Sequence, residues 1–129
     1  MSLLDAKMPY KIVVGYDGSE SAKRALDRAA TLTDYGSSLT VVTVARDSDD
    51  LEKSRRLLSE AGERLMLLRV FAEQVERIGR PADELMEAVK ERDADLLIVG
   101  HGKNALQSLL RGSVSQALTA HAPCEVLVA

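Results

Sequence analysis

A chain of 129 residues with 46% apolar and 29% charged side chains has the size and mix of one folded domain rather than a disordered segment. Its net charge of −3 supplies no overall basic field, which argues against wrapping nucleic acid. A single cysteine, Cys124, rules out an intrachain disulfide and fits a reducing compartment, so a cytoplasmic location is expected. No apolar run approaches the roughly 18 residues that cross a bilayer, and the opening MSLLDAKMPYK lacks a signal-peptide core, so no membrane partner is expected. Residues 1–8 read as a flexible tail and residues 9–129 as the domain.

The first element is the short apolar run from Tyr10 to Tyr16, the pattern of a parallel strand covered on both faces. Asp17-Gly18-Ser19-Glu20 then offers an N-cap with Glu three positions on, and Ala22, Ala25, Leu26, Ala29, Ala30 and Thr33 mark one helical face up to about Tyr35, before Gly36. Leu39 to Val44 is a second buried strand. Leu51, Leu57, Leu58, Ala61, Leu65 and Leu68 give a second amphipathic helix from Asp49 to about Leu68, interrupted only by Gly62.

Phe71 to Ile78 carries Glu73, Gln74, Glu76 and Arg77, so as a strand it belongs at a sheet edge, where charge blocks stray pairing. Pro81 opens a third helix to about Arg92, with Asp83 and Glu84 at its positive end. Asp95 to Gly100 is the most apolar strand and is expected near the sheet centre. A fourth helix over Ser113 to His121 and a last strand over Glu125 to Val128 complete the alternation. Alternating strands and helices imply a single doubly wound α/β domain: a five-stranded, mainly parallel sheet with about four helices on its two faces.

In such sheets ligands bind beyond the C-terminal strand ends, where strand order reverses. Two of those ends are unusual: Gly15-Tyr16-Asp17-Gly18 and Gly100-His101-Gly102-Lys103. At Gly112-Ser113-Val114-Ser115 a helix begins with unpaired N–H groups and a positive dipole, which suits a phosphate. The same four residues also fit a turn followed by an ordinary serine cap.

Gly102 and Gly112 enclose nine residues, and Gly112-Ser113 follows; with "IVVGYDGSESAKRAL", "ADLLIVG" and "GSVSQALTAHAPCEVLVA" the chain resembles the universal stress protein family. Residues 46–78 are the least typical. The resemblance implies the strand order 3-2-1-4-5 and binding of ATP or a related adenine nucleotide, with or without Mg2+. By position it places Asp17 at the nucleoside, the Val44 backbone at the adenine edge, and Gly100 and Gly102 near ribose and phosphate. Gly112, Ser113, Val114 and Ser115 would hold phosphates. Gly15, Tyr16 and Lys103 complete the expected nucleotide-binding set. The chain departs from the family pattern in its first glycine pair, which is G-x-G rather than G-x-x-G, one residue short where ribose contacts are implied.

No P-loop, nucleophile elbow or C-x-x-C pair is present, and His101 has no adjacent nucleophile or orienting carboxylate in the sequence. No catalytic residue is assigned, and any ATP turnover is expected to be slow. His121 and Cys124 do not make a metal site without further ligands. Cys124 to Ala129 would leave a bare apolar edge, so a homodimer through the last strand is expected, the form the family commonly uses. The resulting expectation is a dimeric, nucleotide-binding stress-response regulator with an unidentified downstream protein partner. The alternative is a family member that binds no nucleotide and acts as a dimeric interaction module.

Overall fold

The computed structural model describes residues 10–33, 37–101 and 124–129. In chain order its elements are β1 (Lys11–Gly15), α1 (Glu20–Leu32), β2 (Ser38–Ala45), α2 (Leu51–Leu67), β3 (Glu73–Ile78), α3 (Pro81–Arg92), β4 (Leu96–Val99) and β5 (Glu125–Val128). The strands form one parallel sheet in the order β3-β2-β1-β4-β5. The doubly wound α/β architecture expected from the alternation is therefore present. The described residues hold three α-helices; the fourth expected helix, Ser113 to His121, lies outside them, as do the 1–8 tail and Gly36.

Strand alternation sorts the core into two layers. Ile12, Val14 and Tyr16 of β1 and its exit face α1 and α2, joined by Leu39, Val41, Leu96 and Ile98. Val13 faces the opposite side with Val42, Leu97 and Val99, against Leu85, Ala88 and Val89 of α3. The small residues Ala22, Ala25, Ala29 and Ala30 let α1 lie close to the sheet, and all are buried. Fully buried side chains such as Leu26, Leu65 and Ile98 each stabilise the fold by about 1.5–3 kcal/mol relative to exposure.

The start of the β1–β4 pair is held by a reciprocal contact, in which Asp95 N–H donates to the Lys11 carbonyl at 2.8 Å and Lys11 N–H donates to Asp95 Oδ2 at 2.8 Å. At the far edge β3 is fastened on both faces by polar side chains. Gln74 Nε2 donates to the Leu58 carbonyl of α2 at 2.9 Å, while Arg77 reaches Glu84 and Glu91 of α3, and Arg92 reaches Glu73. The charged residues of β3 thus serve an edge strand, as their distribution in the sequence implies.

Three boundaries differ from expectation. α1 ends at Leu32 rather than near Tyr35, because Thr33 turns both its N–H and its hydroxyl back to the Ala30 carbonyl. β3 begins at Glu73 instead of Phe71, since the chain leaving α2 first turns through Arg69 at φ 59°. A short 3-10 turn, Ser48–Asp50, precedes α2, capped by Asp47 through the Asp49 N–H at 2.9 Å.

Candidate functional site

Strand order reverses between β1 and β4, which lie side by side with Ile12 opposite Leu96 and Val14 opposite Ile98. Their C-terminal ends, Gly15 to Gly18 and Gly100-His101, therefore meet at one crevice, the place where open α/β sheets take ligands. The strand order 3-2-1-4-5 that the resemblance implies, with the first and fourth strands as neighbours, is met. Gly102, Lys103, Gly112, Ser113, Val114 and Ser115 lie outside the described residues.

The β1 exit turns sharply into α1. Asp17 Oδ1 accepts from the Ser19 N–H at 3.0 Å, closing an Asx turn around Gly18, whose φ of 83° suits glycine. The helix cap itself is Ser19, whose Oγ accepts from the Ala22 N–H at 3.1 Å. This corrects the reading of Asp17 as the cap: Asp17 shapes the turn, and its exposed carboxylate stays at the crevice rim.

Tyr16 presents only its backbone to the crevice. Its ring is 3% exposed and packs with α1 and α2, where its hydroxyl donates to Glu60 Oε1 at 2.6 Å. Burial, then the Glu60 hydrogen bond and its charge, hold the phenol well above the ordinary tyrosine range. Thr43, also buried, donates its hydroxyl to the Tyr16 carbonyl at 3.1 Å and fixes the exit of β1 against β2.

The β1–β2 ladder closes with Gly15 opposite Val42, and Tyr16 N–H donates to the Val42 carbonyl at 2.9 Å. Backbone groups alternate sides along a strand, so those of Val44, two residues on, aim the same way, past the point where β1 has ended. Val44 is thereby the β2 residue whose amide edge is offered to the crevice. Its side chain, half-buried, packs toward α3.

Gly100 is buried at the end of β4 against the first turn of α1. A Cβ there would lie 2.5 Å from Ser21 Oγ and 2.7 Å from the Ala22 nitrogen. Gly15 is tight as well, with a Cβ meeting Leu85 Cδ1 at 3.0 Å. Both glycines bring backbone close to backbone or core at the crevice floor.

His101, next in the chain, is a strut between elements. Its Nδ1 lies 2.8 Å from the Ala129 carbonyl oxygen and its Nε2 3.4 Å from an Arg24 guanidinium nitrogen. Both contacts are satisfied when Nδ1 donates and Nε2 accepts. Arg24 is an exposed cation beside the crevice that sequence reading missed, because nothing local marks one arginine of an amphipathic helix as facing the end of β4. Among the described residues, no three His, Cys, Asp or Glu side chains cluster as a metal site, and no helix is long and apolar enough to cross a membrane.

The model of the Universal stress protein family matches residues 8–129. This chain belongs to that family. A universal stress protein of Thermus aquaticus is 36% identical, with 91% of this chain and 96% of the relative covered. A universal stress protein solved in complex with cAMP superposes at TM-score 0.72 with 29% identity, covering 93% of this chain and 96% of the other. A Mycobacterium tuberculosis protein of known structure is 32% identical at TM-score 0.64, with 92% of each chain covered. Each of these three alignments spans more than nine-tenths of both chains.

Proposed function

We propose that this universal stress protein binds an adenine nucleotide in the crevice between β1 and β4 and acts as a nucleotide-responsive regulator with slow or no turnover. The observation that carries this reading is the meeting of the β1 and β4 exits at the switch point, in a chain 29% identical to a relative whose structure holds cAMP. The Val44 amide edge suits the adenine, and Asp17 at the rim suits the ribose hydroxyls. The phosphates are assigned to Gly102, Lys103, Gly112, Ser113, Val114 and Ser115, with Arg24 adding charge from α1.

ATP is the preferred ligand in this reading, because nine residues separate Gly102 from Gly112 as in the family's nucleotide-binding pattern. Mg2+ would enter with the phosphates, with Asp17 the carboxylate at the rim. Gly15 and Tyr16 contribute backbone to the floor. Intact protein purified without added ligand, then denatured, should release an adenine nucleotide detectable by mass spectrometry. Protein that carries none and takes up none when nucleotide is added contradicts the reading.

The open edge of β5 supports a homodimer through Glu125–Val128. Glu125 N–H and Ala129 N–H donate inward to Asp95 and Val99, so the backbone groups of Val126 and Val128 face outward. An outward row of this kind pairs readily with its two-fold copy.

A second reading has its own support. Gly100 is already pressed onto α1 and His101 is tied to Arg24 and Ala129, so these two residues serve packing. Under that reading the dimer acts as an interaction module without nucleotide, and the release experiment separates the two.

A further inference from the structure

Four of the eight exposed large apolar side chains among the described residues fall in one stretch: Met66, Leu67, Leu68 and Phe71, with Met66 69% and Phe71 91% exposed. Met66 and Phe71 border a groove of about 400 Å3 between the outer face of α2 and residues 70–74. The groove is far from the β1–β4 crevice in the fold, at the β3 side of the sheet. Its floor includes Leu65, Val70 and Ala72, and Arg55, Ser59 and Glu63 of α2 form its wall.

The wall has a pattern of its own. Arg55, Ser59 and Glu63 are all exposed and stand at i, i+4 and i+8, so they form one row along the helix. Opposite charges lie about 6 Å on either side of a small central residue, at about 1.5 Å of rise per residue. Two such helices packed antiparallel about Ser59 place Arg55 of each against Glu63 of the other. The row is therefore complementary to itself under a two-fold axis and to no single sign of charge. The present ion pair of Arg55 with Glu76 is long, at 3.7 Å, and its Arg55 side chain is 69% exposed, so Arg55 is held loosely.

We propose that the outer face of α2 is a self-association surface, on which a second copy of this chain packs about Ser59 with reciprocal Arg55–Glu63 contacts and covers the Met66–Phe71 groove. Apolar side chains beside the axis supply the burial, and the charge row fixes the antiparallel register. This surface is separate from the β5 edge, so a chain using both would assemble beyond a dimer.

The test is sedimentation equilibrium on the full chain carrying Val126→Pro and Val128→Pro, which remove both outward N–H donors of β5 so that the α2 face drives association. This parent should self-associate to dimers; a strictly monomeric parent overturns the proposal. Arg55→Glu and Glu63→Arg, each added singly, put like charges across the axis and should weaken association by about tenfold or more. An equimolar mixture of the two single variants should pair as well as the parent, because each supplies the charge the other lacks. Unchanged association in either single variant, or a mixture no tighter than the variants alone, overturns it. Both side chains are on the surface, and unchanged circular dichroism separates loss of pairing from loss of fold.

Discussion

A Cβ built on Gly100 would lie 2.7 Å from the backbone nitrogen of Ala22, so the end of β4 rests directly on the first turn of α1. No side chain fits between them, and backbone cannot swing aside as a flexible side chain can. Gly100→Ala should destabilise the protein by about 1–3 kcal/mol, the range for overpacking a tight contact. Urea denaturation reads this as a lower midpoint at unchanged slope; an unchanged midpoint would mean that the contact relaxes.

Asp17 and Ser19 divide two tasks that the sequence merges. Ser19→Ala removes the helix cap and should cost about 1 kcal/mol. Asp17→Ala opens an exposed turn and should cost less stability while weakening nucleotide binding. Denaturation and nucleotide titration of both variants check the division, which is contradicted if Asp17→Ala retains full affinity.

Tyr16 should make stability fall at alkaline pH. Its phenol is held neutral in the folded state well above the ordinary value of 10.0. Below that pH the phenol is protonated in both states and the contribution is complete. Above it the unfolded chain loses a proton that the folded chain keeps, so stability drops as pH rises. Tyr16→Phe should cost about 1 kcal/mol at neutral pH, from the lost Glu60 bond. It should also flatten the alkaline decline relative to the unmodified protein. Equal slopes in the two proteins above pH 10 would contradict this assignment, as checked by denaturation at several pH values.

At the sheet edge, Val126→Pro removes one outward N–H and leaves the inward bonds of Glu125 and Ala129 in place. The expected outcome is loss of the contact through β5 with little change in thermal stability, leaving only the association through α2. Sedimentation velocity reads it as a smaller assembly than the unmodified protein forms, and an assembly of undiminished size would move that interface elsewhere.

Much of the fold was legible because its signals are local. The charges on Glu73, Glu76 and Arg77 announced an edge strand, and the apolar run from Leu96 to Val99 an interior one. Other features depend on contacts distant in sequence. Gly62 looked like a blemish in α2, yet its missing side chain makes room for the Gln74 amide to reach the Leu58 carbonyl. Tyr16 sits among crevice residues in the sequence, yet its ring turns inward with Ile12 and Val14, and Glu60, 44 residues later, accepts the hydrogen bond its hydroxyl donates. Asp17, Gly18 and Ser19 all favour helix starts, and only the backbone shows that Ser19 is the cap. At the site, both strand exits were recognisable from their glycines, whereas Arg24 joins them only through the packing of α1 on β4.

The central claim is an adenine-nucleotide site whose phosphates are held around Ser113. Its most direct test is calorimetric titration of the intact protein with ATP, AMP and cAMP, beside Ser113→Asp, which puts an anion where the proposal puts phosphate. Saturable binding of at least one nucleotide to the unmodified protein, abolished in Ser113→Asp, is the predicted result. No binding of any of the three at millimolar concentration, or undiminished binding by Ser113→Asp, would contradict it.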